Sequence, residues 1–212
     1  MAPARRRRVH GYLKYAFLDD LDSVRHVGIG RLGRVRLAVT PTVWLQPPLF
    51  FALGVALTFL PGRLPLGTAY AIRGADALAF TIAGLLANLL HGLGHIVSGT
   101  LAGSPMDELL FTATRDANIY RGDQTGVRAR THVARAAGGP LANLLAAGLL
   151  FALLQVIGGG SHPTLARIAG VNLAFGLGSL VPLPSVDGEV LWRELWRALR
   201  GNGASGSRSS LD

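Results

Sequence analysis

Two histidines four residues apart, His91 and His95 in "HGLGH", sit inside a long apolar run. On a helix they fall on one face, one turn apart. That spacing suits a metal ion. In the H-E-x-x-H pattern the Glu between the two histidines works as general base, and here its position is Gly92. On these residues alone three readings stand: a metallopeptidase site without its base, a metal site for other chemistry, or two packed histidines with no metal.

More polar residues stand in similar apolar surroundings. Asn88 precedes His91. "GGPLAN" carries Gly139, Pro140 and Asn143, Asn172 lies in a later run, and "LVPLPSVDGEVLW" closes that run with Pro182, Pro184 and Asp187-Gly188. Strongly polar and ionisable groups are costly at membrane depth and by default mark function. The prolines end a helix, and a carboxylate just past such an end can turn back toward its neighbours. Two His and one Asp, with one position left open, have the makeup of a catalytic zinc set.

The elements that must position these residues are read from charge. Half of the 212 residues are hydrophobic, and there is no cysteine, hence no disulfide framework or thiolate metal site. Four stretches lack Asp, Glu, Lys and Arg: Leu37 to Gly62, Ala77 to Met106, Ala136 to Ala166 and Ile168 to Val186. A spanning helix needs roughly 20 apolar residues. The reading is an all-α membrane protein with about four transmembrane helices, their trimmed cores near 43–60, 77–101, 140–158 and 165–182. The rival is a soluble helical protein with a very apolar core.

The net charge is +9, carried almost wholly by Arg, since Lys14 is the sole lysine. Its distribution argues for a membrane and against nucleic acid. Nine basic residues, Arg5 to Arg8 among them, precede the first span, and Arg115, Arg121, Arg128, Arg130 and Arg135 lie between the second and third. Four lie in the tail, while the first two spans are joined by a segment holding only Arg63 and Arg73. With four spans, all the Arg-rich segments fall on one side, which the positive-inside rule makes the cytoplasm. Both termini are expected there, in a bacterial cytoplasmic membrane, with the basic segments near anionic headgroups. His91, His95, Asn143 and Asp187 then all gather toward the cytoplasmic leaflet. The start has a basic run but no apolar core long enough for a cleavable signal peptide. The division expected is a basic segment over 1–36, a transmembrane domain over 37–200 and a disordered Gly/Ser-rich tail over 201–212.

"GIGRLG", Gly28 to Gly33, matches a dinucleotide-binding pattern. It lacks the strand-to-helix setting that gives the pattern meaning. It leads into "RVRLAVT", whose Val35, Leu37 and Val39 alternate like a strand, so its glycines read as turn residues before a short strand. The segment from Asp107 to Thr131 is too polar for a span and carries β-type residues near Leu109–Thr112 and Ile119–Tyr120.

Taken in order, "HGLGH", "GPLAN" and "PLPSVDG" resemble the motifs of the site-2 protease family of intramembrane zinc metallopeptidases, over roughly Leu37 to Arg200. The resemblance implies a zinc ion on His91, His95 and Asp187. It implies that Asn143 lines the site, touching substrate or a developing oxyanion, and that strands after the second span hold an extended substrate. The rival reading of that segment is an ordinary cytoplasmic loop. Three departures stand out: Gly92 for the catalytic Glu, Ser179 where an Asn often stands, and Glu189 after Asp-Gly.

A positioned general base contributes about 10²–10⁴-fold, and a Gly supplies none. The expectation is a site-2 protease-like metallopeptidase homologue impaired or inactive in peptide hydrolysis. The alternative is a non-catalytic protein that binds partners' transmembrane or membrane-proximal segments and regulates them. A metal transporter fits less well, because the outer halves of the spans are apolar. Glu189, and more weakly Glu108, are candidates to replace the missing base. Gly92 and Gly94 together could let another helix approach closely.

Overall fold

The computed structural model describes residues 25–62, 68–113, 116–121, 124, 126–158, 162–184 and 186–205. Residues 1–24 of the basic segment and 206–212 of the tail lie outside these.

The chain opens with a hairpin, β1 (Val27–Leu32) and β2 (Val35–Val39). Leu32 pairs with Val35 across a two-residue turn in which Gly33 takes φ +58, the left-handed region that favours glycine. Of the "GIGRLG" glycines, only Gly33 is thus a turn residue, while Gly28 and Gly30 are in β1 beside an irregularity in the ladder. A short 3-10 helix, Pro41–Leu45, runs straight into α1 (Gln46–Thr58). Then come α2 (Tyr70–Leu101), β3 (Glu108–Phe111), β4 (Asp116–Ile119), α3 (Ala129–Ile157), α4 (Pro163–Gly178) and α5 (Asp187–Ser205). α5 therefore reaches into the 201–212 tail.

The four strands form one sheet in the order β1-β2-β3-β4. β2 and β3 are parallel, and the crossover between them is the α1–α2 pair. Strand alternation decides what each face touches. Val35, Leu109 and the adjoining Met106 are buried with Ile96 of α2, while Ala38, Leu110, Ala117 and Ile119 cluster on the other face. The sheet thus packs onto α2 on the same turns that carry His91 and His95.

Three helical stretches are long and apolar enough to cross a membrane: Pro41–Thr58, Tyr70–Leu101 and Ala129–Ile157. No more than 33% of any of these windows is buried inside the protein, and Leu78, Ile82, Leu86, Leu145 and Leu149 are exposed. Ranks of exposed leucines of this kind suit contact with lipid rather than water. The stretch expected as a fourth span, 165–182, forms α4, whose 16 residues reach about 24 Å. A hydrocarbon core is roughly 30 Å thick, so α4 falls short by its own length.

Glycines set the closest helix contacts. A Cβ on Gly94 would strike the Gly138 carbonyl oxygen, so α2 and α3 cross backbone to backbone there. Gly92 does not share that crossing, because its open face meets Leu109 of the sheet.

Candidate metal centre

α2 carries His91 and His95 on one face, with ring centroids 4.7 Å apart. Asp187, the first residue of α5, reaches both: its Oδ2 lies 2.9 Å from His91 Nε2 and its Oδ1 3.3 Å from His95 Nε2. The two Nε2 atoms are 3.1 Å apart. Among the described residues these three form the group able to hold a metal ion. Ligand atoms about 2.0–2.2 Å from a tetrahedral ion lie about 3.3 Å from one another, and the observed spacings are of that size.

The outer ring nitrogens fix the tautomers. His95 Nδ1 lies 2.7 Å from the Arg135 carbonyl oxygen, which can only accept, so Nδ1 carries the proton. The Asn143 amide nitrogen donates to Ala87 O and to Asn172 Oδ1, each at 2.9 Å. Its Oδ1 is thereby left to accept from His91 Nδ1–H at 2.8 Å. Asn172 in turn donates to Ile168 O. In the neutral rings both Nε2 lone pairs consequently point at each other and at a carboxylate. Three electron-rich atoms so placed repel unless a cation or protons stand among them, and hydrogen-bonded outer nitrogens are the usual support of metal-bound imidazoles.

The surrounding backbone leaves room for an ion. A Cβ on Gly139 would lie 2.5 Å from both Nε2 atoms, so any side chain there would fill the space they share. Gly188 has the same necessity at the other ligand. Its N–H donates to Ser179 O at 2.7 Å, and a Cβ would strike the Val181 carbonyl. That tight turn swings Asp187 back from the end of α4 to the imidazoles. Burial alone would raise the Asp187 carboxyl; with no ion among the three groups, His95 and His91 protonated at Nε2 and facing it hold it down at about 2.

Asn143 is fully buried, and its position is behind His91, which it orients. Glu108, on β3, is held by Arg121 at 2.7 Å and His26 at 3.3 Å. It alternates with Leu109 and therefore sits on the sheet face away from α2. Glu189 lies 3.5 Å from Arg193 on α5. The carboxylate beside Gly92 is a third one, Asp116 of β4. Its Oδ2 is 3.6 Å from where a Cβ at position 92 would sit and accepts from Asn88 Nδ2 at 3.0 Å. Burial pushes its carboxyl up to about 7, against the opposing pull of the Asn88 and Gln46 amides. Sequence reasoning missed Asp116. Its one signal was a lone acid in a short strand beside buried Ala117 and Ile119.

No family model matches the chain, and no curated protein matches it in sequence. Among solved structures it is similar to the Site-2 Protease from Methanocaldococcus jannaschii, with a TM-score of 0.54 and 16% identity over 81% of this chain and 72% of that one. The likeness is one of fold.

Proposed function

We propose that the chain is a membrane metalloprotein of the site-2 protease kind, binding one zinc ion on His91, His95 and Asp187. The observation that carries the reading is the convergence of two Nε2 atoms and a carboxylate, with both Nδ1 atoms hydrogen-bonded outward. A zinc ion there would polarise a peptide carbonyl and acidify water. Its fold places an edge strand, β4, beside the site, and a free strand edge can hold an extended segment by main-chain hydrogen bonds. The ligand class is therefore a protein segment in or next to the membrane, unwound where it meets β4. α2 contributes no base, so hydrolysis depends on a carboxylate from another element. The second reading, binding of such segments without cleavage, is favoured by Gly92. Membrane placement follows the Arg distribution, with the sheet, the site and both termini on the cytoplasmic side and α4 returning the chain to that side.

Metal analysis tests the assignment. Purified protein loaded with zinc and desalted should retain one ion per chain, and His91→Ala and Asp187→Ala should each lose it. Wild-type protein without zinc, or variants that hold it equally well, would overturn the reading.

A further inference from the structure

The gap that Gly92 leaves on α2 is met by a side chain from the sheet. In a glutamate the carboxylate oxygens lie about 3–4 Å from Cβ, two carbon–carbon bonds and one carbon–oxygen bond away. Asp116 Oδ2, at 3.6 Å from the Cβ position of residue 92, stands within that reach. The sheet register explains how it arrives there. Asp116 pairs with Phe111 and Asn118 with Leu109, which sets Asp116 on the face that carries Leu109. Leu109 Cδ2 is itself 2.9 Å from the same Cβ position.

Three further observations separate this carboxylate from an ordinary structural one. Its Oδ1 is buried and without a hydrogen-bond partner among the described residues, and an unsatisfied buried acceptor costs about 1–3 kcal/mol or more when charged. It is close enough to His95 for each to feel the other's charge, yet it is outside the group of metal-holding residues. That is the standing of a base rather than of a ligand. Finally, a cleft of about 250 Å³ lined by Gln46, Leu49, Phe50 and Phe175 reaches Asn88, the residue that holds Asp116.

We propose that Asp116 is the general base of this site, supplied from β4 in place of the residue missing from α2. The proposal rests on the zinc reading above. In the step it performs, Asp116 Oδ1 takes a proton from the attacking water as the water oxygen bonds to the peptide carbonyl carbon. The carbon–nitrogen bond then breaks, and the same proton passes to the leaving amine, giving a carboxylic acid and an amine and returning Asp116 to its starting state. A carboxyl titrating near neutrality suits both halves of that transfer.

Two measurements on the full chain in vesicles test it. The first reads position without activity. Gly92→Glu should melt well below Gly92→Gln at pH 8, because its carboxylate meets that of Asp116, and adding Asp116→Asn should remove the difference. Equal melting of Gly92→Glu and Gly92→Gln would overturn the placement. The second reads role, with a quenched-fluorescence probe peptide of about 25 apolar residues in the same vesicles. Wild type should cleave it, and Asp116→Asn should fall by about 10²-fold or more with its zinc retained. Gly92→Glu in the Asp116→Asn background should recover cleavage. Asp116→Asn that keeps both zinc and wild-type cleavage, or zinc-loaded wild type that leaves the probe intact, would overturn the proposal while the metal site stands. Loss of zinc from the wild type itself would instead overturn the metal reading.

Discussion

At the residue scale, the proposed zinc site needs a glycine as much as it needs His91, His95 and Asp187. Because a Cβ on Gly139 would lie 2.5 Å from both Nε2 atoms, Gly139→Ala should abolish zinc retention while leaving helical content by circular dichroism unchanged. A variant that still holds one ion would show that the open face lies elsewhere. Asp116 makes a second prediction, this one about pH. Its carboxyl is raised from 3.8 to about 7 in the fold. The native state therefore holds a proton that the unfolded chain releases, and stability falls as pH rises from about 4 to about 7, then levels. Asp116→Asn escapes that loss. In chelator-treated protein it should melt above wild type at pH 8, by up to roughly 4 kcal/mol, and the two should converge near pH 4. A difference that is flat across this range would mean that the carboxyl titrates normally. The meeting of His91, His95 and Asp187 was legible in the sequence because groups able to hold a metal are few in kind, and these fall at helix spacing or just past a helix end. Asp116 was not. It stands 24 residues past Gly92, and only the docking of the sheet on α2 brings the two together.

At the element scale, the strands were partly legible and the helix lengths less so. Val35, Leu37 and Val39 alternate, and β2 covers them; the β-type residues near 109–112 and 119–120 fall in or next to β3 and β4. Alternation cannot reveal that β2 and β3 lie side by side in parallel, since that pairing depends on where α1 and α2 return the chain. α2 and α3 begin well before their apolar cores because Arg73 and Arg135 find partners inside the protein. Arg73 Nη1 donates to Thr58 O at 2.6 Å, and Arg135 to Ser104 and Gln124. α4 stops at Gly178, where the proline-containing stretch turns toward Asp187. The α2–α3 contact yields a paired prediction. Gly94→Ala must push against the Gly138 backbone, and overpacking of that kind costs about 1–3 kcal/mol. Gly148, also on α3, has open space where its Cβ would be, so Gly148→Ala should be neutral or gain about 0.5–1 kcal/mol from helix propensity. Thermal melting in detergent compares them. Equal effects would mean that the two helices are not in backbone contact at Gly94.

At the scale of the whole molecule, charge and depth must agree. His95 lies six residues before Leu101, the end of α2, so the site sits about 9 Å along the helix from that end. The sheet continues from the same end, and it carries Arg31, Arg34, Arg36 and Arg121 near it. Among the described residues, the arginines toward the opposite end are held within the protein. Arg167 of α4 pairs with Asp76 of α2, and Arg73 donates to Thr58 O while stacking on Phe59 at 4.5 Å. The Arg distribution in the sequence favours the sheet end as the cytoplasmic one under the proposed topology. The chain has no cysteine, so single cysteines report cleanly. Gly126→Cys and Arg197→Cys, exposed at the sheet end, should react with a membrane-impermeant maleimide only after cells are opened. Ala69→Cys and Thr164→Cys, exposed where α2 and α4 begin, should react in intact cells. Labelling of position 126 from outside would invert the topology. The pair 164 and 197 examines α4 separately. Its 16 residues are short for a bilayer, but Asp187 has to reach imidazoles about 9 Å in from the sheet end, so α4 needs to return the chain only to that depth. The turn at 179–186 and α5, with Trp192 and Trp196 exposed as aromatic residues are at membrane interfaces, complete the path. Positions 164 and 197 reacting from the same side would break that path, and with it the meeting of Asp187 with the two histidines.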